Sequence, residues 1–292
     1  MTAARTRSFW VVAALVGATL FWAGNYVVGA AAVRELSPVS LTALRWAIAA
    51  LPLVVLAHLI ERPDWRAAVR TWPRQLALSA VGMLGYALLV YSALQHTSSV
   101  NASLVNALNP ALIALVAAAL ARRAPHRGAV AGMLLGLVGV LVVLTGGRPD
   151  TVLALRFNVG DLLMLGAIAV WSAYTVGGRG SSVPPITATA IQAVLAALVM
   201  VPFALAGRVH GPQTGSGTAA LLFIGLFPSL GAYLLWNLAL RRVPAGSAGV
   251  YLNLITVFTV LINALLGYRL GPAQLIGGVL VLGGVLLVHR SR

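Results

Sequence analysis

The sequence predicts an all-α membrane protein with ten transmembrane helices, arranged as two five-helix repeats of inverted topology. Three observations carry this. Hydrophobic residues make up 60% of the chain and charged residues 9%, against about 25% charged in soluble domains. Ten apolar runs of bilayer-spanning length follow one another with short polar connections. The last five runs repeat the first five. Phe21-Trp22-Ala23-Gly24-Asn25, then Val27 and Gly29, returns as Val170-Trp171-Ser172-Ala173-Tyr174, then Val176 and Gly178, at an offset of 149. The offset is 147 from Pro38 to Pro185 and from Arg45 to Gln192, 146 from Ala93-Leu94 to Ala239-Leu240, and 145 from Gly139-Val140-Leu141 to Gly284-Val285-Leu286. Five is an odd number of crossings, so the second half starts on the opposite side of the bilayer. The halves are residues 1–150 and 151–292.

The runs lie near 9–31, 39–60, 73–94, 98–121, 127–146, 159–178, 185–207, 217–240, 244–268 and 271–289. They are too long and too uniformly apolar for barrel strands, which alternate over about 10 residues. Helices also satisfy their backbone without water. The first run follows Arg5 and Arg7, as a signal peptide would, but it is longer than a signal core and has a repeat partner, so it reads as structural. Between runs two and three, Glu61 to Trp72 alternates Arg62, Asp64, Arg66 and Arg70 around Trp65, which suits a helix lying in the interface. The link between the halves runs from Gly146-Gly147-Arg148-Pro149-Asp150 to Asn158. Runs five and ten carry Gly132, Gly136, Gly139 and Gly277, Gly278, Gly283, Gly284, small residues that let helices pack closely in lipid. Pro52, Pro110, Pro202 and Pro228 fall inside runs and kink them.

Net charge is +15, and every basic residue is Arg. The arginines sit in short loops between runs, which argues against nucleic-acid binding and invokes the positive-inside rule instead. With the N-terminus in the cytoplasm, Arg5, Arg7, Arg62, Arg66, Arg70, Arg74, Arg122, Arg123, Arg127, Arg179, Arg241, Arg242, Arg290 and Arg292 lie inside, and Arg34, Arg148, Arg156, Arg208 and Arg269 lie outside, 14 against 5. Both termini are therefore expected in the cytoplasm of a multi-pass inner-membrane protein, with anionic lipid headgroups as partners on that face. Cysteine is absent, which excludes disulfides and thiolate sites. His58, His96, His126, His210 and His289 are scattered, and Glu35, Glu61, Asp64, Asp150 and Asp161 avoid the middle of every run. No metal, cofactor or catalytic constellation is expected, and no enzyme.

The polar and aromatic residues inside the runs point to a binding site. Trp22, Asn25 and Gly29 share one helical face, and run six repeats this with Trp171, Tyr174 and Gly178. Run four carries Ser99, Ser103, Asn106 and Asn109 along one stripe, and run nine carries Asn253, Thr256 and Asn263. Run three offers Tyr86 and Tyr91, and run eight offers Tyr233, Trp236 and Asn237. Unpaired amides in hydrocarbon are costly, so these stripes should face the interior, either bonding helix to helix or lining a central cavity. Trp10, Trp72 and Tyr268, near run ends, read as interface anchors. The candidate binding residues are Trp22, Asn25, Tyr86, Asn106, Trp171, Tyr174, Trp236 and Asn253. Such a lining suits an amphipathic, zwitterionic or aromatic solute, through ring stacking, cation–π contact and amide donors to a carboxylate. Arg45 lies six residues into run two, about 9 Å at 1.5 Å per residue. It either has a structural or snorkelling role or contacts a substrate carboxylate.

In their order and duplication, Trp22 with Asn25, Pro38 with Arg45, Tyr91-Ser-Ala-Leu94, Asn101-Ala-Ser, Asn109-Pro110, then Trp171, Ala239-Leu240, Pro244, Leu265-Leu266-Gly267 and Gly277, Gly283, Gly284 resemble the ten-helix, EamA-type branch of the drug/metabolite transporter superfamily. Within that branch the chain is similar to bacterial inner-membrane exporters of aromatic and other amino acids. The resemblance implies alternating access and an inner ring of runs one, three, four, six, eight and nine, with five and ten at the periphery. Many members carry a Glu after runs four and nine; here those positions are Arg123 and Tyr268. No buried carboxylate is available to carry protons, so gradient-driven movement is expected over proton antiport. The rival readings are a multidrug or nucleotide-sugar carrier of the same fold, and a non-transporting structural or lipid-scrambling protein.

Overall fold

A computed structural model describes residues 2–122, 126–145, 147–148, 150, 158–267 and 271–290, and among these every regular element is helical. Helix fills each predicted run: α1 (Thr2–Ala32), α2 (Pro38–Leu56), α4 (Trp72–Leu94), α5 (Ser99–Asn106) with α6 (Asn109–Ala121), α7 (Arg127–Thr145), α8 (Val159–Gly177), α9 (Pro185–Leu205), α10 (Gly215–Leu240), α11 (Ala245–Leu265) and α12 (Pro272–Arg290). A short α3 (Trp65–Val69) occupies the interfacial loop, started by the Asp64 carboxylate accepting from the N–H groups of Arg66 and Ala67. Seven segments are long and apolar enough to cross a membrane: α1 from Phe9, α2 extended to Glu61, α4, α8, α9, α10 and α11. The apolar stretches of α6, α7 and α12 among the described residues are shorter. Arg123, Gly146, Pro149, Arg156, Tyr268, Arg269 and Arg292 lie outside the described residues, as do the side chains of Arg5, Arg7, Asn101, His289 and Arg290. Trp10 and Trp72 are exposed, as interface anchors would be.

Helix starts follow local chemistry. Ser37 caps α2, with Pro38 at its first turn, and Asn158 with Asp161 forms a capping box on α8. The interruptions recur in both halves. α4 contains a π-helical stretch at Ser79–Gly85, and α10 contains one at Gly225–Gly231, 146 residues on. In α10 the stretch contains Pro228, which lacks an N–H for the regular ladder; in α4 no proline marks it. The fourth run breaks between Asn106 and Asn109, and the ninth tightens to a 3₁₀ turn at Val250–Asn253. Pro110 therefore starts a fresh helix rather than kinking one, while Pro52 and Pro202 sit inside α2 and α9.

Loop contacts sort into two ends. At the arginine-rich end, Glu61 accepts from the backbone N–H groups of Ile186 (3.0 Å) and Thr187 (2.7 Å) and from the Thr187 hydroxyl (2.6 Å). Arg74 there donates to the carbonyls of Gly177 and Arg179, and Arg241 to that of Val183. At the other end Glu35 accepts from the N–H groups of Gln213 and Thr214 and from the Thr214 hydroxyl, and the N–H of His210 donates to Ser40. Each glutamate thus clasps the entry to a second-half helix.

Packing follows the duplication. α1 lies on α10 as α8 lies on α4, and α1 lies on α11 as α8 lies on α5 and α6. α2 packs on its own counterpart α9, and α7 on α12. In the last pair a Cβ at Gly139 would come within 2.6 Å of the Gly277 carbonyl, and one at Gly284 within 2.5 Å of the Gly132 carbonyl. Those four glycines are repeat partners, so the close approach is two-fold as well. The core runs through the meeting of α1, α2, α4, α8, α9, α10 and α11, with α5 and α6 packed into it.

A candidate substrate site between the halves

Trp22 of α1 and Trp171 of α8 occupy the same position in the two repeats, and they meet edge to face with centroids 4.9 Å apart. Trp236 lies 5.4 Å from Trp22 and 5.9 Å from Trp171, and Tyr86 lies 4.9 Å from Trp171. Tyr174 is 5.3 Å from Trp171. Tyr233 joins Trp22, Trp171 and Tyr174 at 5.5 to 5.9 Å, and Trp46 of α2 extends the group, 5.0 Å from Tyr233. All seven rings are buried. Two of them are seated on the α4 π stretch, where Trp46 Nε1 donates to the Met83 carbonyl (3.1 Å) and the Tyr233 hydroxyl to that of Gly82. Gly82 is also where the Tyr174 ring rests, leaving no room for a Cβ.

The structure thus gathers five predicted site residues, Trp22, Tyr86, Trp171, Tyr174 and Trp236, and adds Tyr233 and Trp46. The rings pack on one another, where the sequence suggests faces lining an open centre. Three indole N–H groups in this cluster, on Trp22, Trp171 and Trp236, are buried and find no acceptor among the described residues. Asn106 sits one step away. Its Oδ1 accepts from Asn109, Asn109 accepts from Ser172 beside Trp171, and the Asn106 Nδ2 is itself buried without an acceptor. Asn253 is apart from the rings, with its amide laid against Gly136 of α7.

Two hydrogen-bonded triads flank the cluster, one toward each end. Toward the Glu35 end, the Tyr91 hydroxyl donates to Asn25 Oδ1 (2.8 Å) and accepts from Arg45 Nη1. Arg45 Nε donates to Ser229 Oγ (2.6 Å), and its guanidinium lies 5.3 Å from the rings of Trp46 and Tyr91. At 2% exposure Arg45 does not snorkel; α9 and α10 pack over it. Toward the arginine-rich end, Asn237 donates to the Tyr174 hydroxyl (2.9 Å), which donates to Gln192 Oε1 (3.2 Å). Gln75 accepts from Gln192 Nε2 at 2.7 Å. Asn25, Arg45 and Tyr91 correspond to Tyr174, Gln192 and Asn237 at the repeat offsets of 149, 147 and 146. The two triads occupy the same register with different chemistry. A cavity of about 290 Å³ reaches the second triad from Arg179, Ser181 and Arg241.

Comparison with known proteins agrees with this architecture. The EamA-like transporter family matches residues 9–145 and again 158–290. The chain is 28% identical to an uncharacterised transporter, YyaM, of Bacillus subtilis, over 93% of this chain and 91% of that protein. It is 28% identical to a probable terminal-alkyne amino-acid exporter of Streptantibioticus cattleyicolor, over 88% and 83%, and to the aromatic amino acid exporter YddG of Ancylobacter novellus, over 70% and 71%. A solved crystal structure superposes with a TM-score of 0.74 at 27% identity, covering 95% of this chain and 97% of that one. Two copies of one family pattern, end to end, are the duplication read from the sequence. This is an integral membrane transporter, not an enzyme, and the chain belongs to the EamA-like transporter family.

Proposed function

We propose that the protein exports amino acids, aromatic and other, and related metabolites across the inner membrane, driven by the solute's own gradient. The halves 1–150 and 151–292 rock about the aromatic cluster. The observation that carries this reading is the buried ring cluster built from both halves, in which the indole N–H groups of Trp22, Trp171 and Trp236 meet no acceptor among the described residues. An aromatic side chain supplies a surface for the rings and a π face that accepts weakly from an indole N–H. Both termini lie in the cytoplasm, because the arginine-rich end carries 14 loop arginines against 5. The cavity leading to Tyr174, Gln192 and Asn237 then opens to the cytoplasm. Export by two relatives, one of aromatic amino acids, supports the substrate class.

The test is efflux from proteoliposomes loaded with labelled phenylalanine, threonine or a cationic dye. Saturable movement of phenylalanine or threonine is expected. Movement of the dye alone would favour a multidrug carrier, and loss of lipid asymmetry without solute efflux would favour a scramblase.

A further inference from the structure

The Arg45 guanidinium is a buried cation whose partners are all neutral. Nε and Nη1 donate to Ser229 and Tyr91, and those hydroxyls pass on to the Ile224 carbonyl and to Asn25. All five acidic residues are engaged elsewhere. Glu35 and Glu61 clasp second-half helix entries, Asp64 caps α3, Asp150 pairs with Arg148, and Asp161 closes the capping box of α8. A cation inside a bilayer is unfavourable, and one retained there without a counter-ion calls for a function. The second triad answers whether the charge is needed to build the structure. Gln192 stands where Arg45 stands, bonds the residues that correspond to Asn25 and Tyr91, directly or through Tyr174, and is neutral. An uncharged amide therefore suffices to hold this register. The charge serves something that is absent when the triad is closed.

We infer that Arg45 is the receptor for the substrate's carboxylate, which displaces Tyr91 and Ser229 from the guanidinium and so unlatches the Asn25–Tyr91 bond at the Glu35 end. This rests on the exporter reading and adds to it a chemical requirement, a single carboxylate. A planar guanidinium matches a carboxylate with two parallel donors, a pairing stronger than bonds to neutral hydroxyls. The geometry supplies the rest of the ligand's seat. Arg45 lies 5.3 Å from the Trp46 ring, Trp46 5.0 Å from Tyr233, and Tyr233 5.8 Å from Trp22. A carboxylate held on Arg45 therefore directs an attached side chain along those rings toward the unpaired indole donors. Because Gln192 is neutral, carboxylate recognition at this register belongs to the Arg45 triad only.

The test uses the full chain in detergent, with its own tryptophan fluorescence as the readout of binding, and L-phenylalanine and L-phenylalaninamide as probes. Wild type is expected to bind phenylalanine more tightly than the amide by about tenfold, the scale of one charged hydrogen-bond pair. Arg45→Gln installs the residue already tolerated at the matching position. It is expected to erase that preference by weakening phenylalanine alone, and Arg45→Lys to restore part of it. Equal binding of the two probes by wild type, or an unchanged preference in Arg45→Gln, would overturn the inference. The wild-type comparison stands even if the variant does not fold. Arg45-dependent binding without efflux would sink the exporter reading and leave the receptor in place. Efflux with an unchanged preference in Arg45→Gln would do the reverse.

Discussion

The triads at the two ends of the aromatic cluster share a register, one corresponding hydrogen bond (Tyr91 to Asn25, Asn237 to Tyr174) and a common ancestry in the duplication, yet Arg45 joins the first through Tyr91 and Gln192 joins the second through Tyr174, so one carries a guanidinium and the other an amide. In the charged triad Arg45 also reaches across the halves to Ser229, in the π stretch of α10. In the neutral triad Gln192 reaches across to Gln75 of α4. Both therefore tie one half to the other, and both are made of groups that must separate if their end opens. The neutral triad borders a cavity, and every member of the charged one is buried. Equal scaffolds with unequal chemistry are what an inverted repeat needs to treat its two ends differently. In the proposed exporter, symmetry supplies two related conformations and the mismatched residues set what each end recognises.

The largest effect is expected at the centre that both triads share. Trp171 is almost fully buried and touches five other rings. Trp171→Ala is expected to lower stability by about 3–5 kcal/mol, the cost of deleting a large buried aromatic. Efflux per inserted molecule should collapse, read in proteoliposomes normalised for incorporation. Trp171→Phe keeps one aromatic ring and loses the indole donor with its fused five-membered ring. It separates packing from recognition, with a smaller loss of melting temperature than Trp171→Ala but a comparable loss of efflux expected. Native efflux in both variants would remove Trp171 from the path.

Next in size is the attempt to make the triads alike in charge. Gln192→Arg places a second cation beside Gln75, Tyr174 and Asn237, with no carboxylate nearby among the described residues. The expected loss is about 2.5–3.5 kcal/mol, the insertion cost of a mid-helix arginine, seen as a lower melting temperature in detergent. Tolerance without loss would mean that the neutral end is wetter than its hydrogen bonds imply, and that the charge difference between the ends is incidental.

How far the sequence carried this comparison depends on where the bilayer hides information. Helix positions were legible because ten long apolar runs leave little choice, and the duplication placed Trp22 opposite Trp171. Tyr86, Tyr174 and Trp236 were legible as interior-facing, since polar and amphipathic groups leave lipid when they can. Trp46 as a ring partner, Ser229 as a contact of Arg45, and the position of Asn253 against α7 were not. Lipid is as apolar as leucine, so an apolar run does not record which of its faces meets protein. The π stretch of α4 was also invisible, because Ser79–Gly85 has no proline to announce it, whereas Pro228 flags its counterpart. Arg45 conspicuously broke the apolar pattern, but whether it reached the surface depended on the helices packed over it.

Those π stretches give a third, smaller way to probe the comparison. Position 82 is Gly and its partner 228 is Pro, an offset of 146. The Tyr174 ring rests on Gly82, and a Cβ there would overlap it. Gly82→Ala is expected to cost about 1–3 kcal/mol through overpacking. It should push Tyr174 off its bonds to Gln192 and Asn237, loosening the neutral triad while leaving Arg45 and Tyr91 in place. Hydrogen exchange at α8 and α9 should rise, with that at the start of α2 unchanged. A uniform rise across both ends would show that the triads do not open independently.

The smallest effect is at the clasp beside the charged triad. Glu35 is solvent-exposed, and its carboxylate accepts first from the Thr214 hydroxyl, then from the N–H groups of Gln213 and Thr214, which together hold its pKa below the usual glutamate value. A depressed folded-state pKa means that the clasp stabilises the protein above the ordinary glutamate range, about pH 4.3. That contribution is lost as pH falls through the lowered folded value. Acidification should therefore free the 208–217 loop, measured as faster proteolysis there, and Glu35→Gln should make that rate insensitive to pH over the same window. Because the carboxylate is screened by water, the shift should be slight and should shrink further in high salt. An identical acid response in Glu35→Gln would mean that the loop is held by other contacts, such as the His210 N–H to Ser40 bond, and that this end of the molecule is not latched through its glutamate.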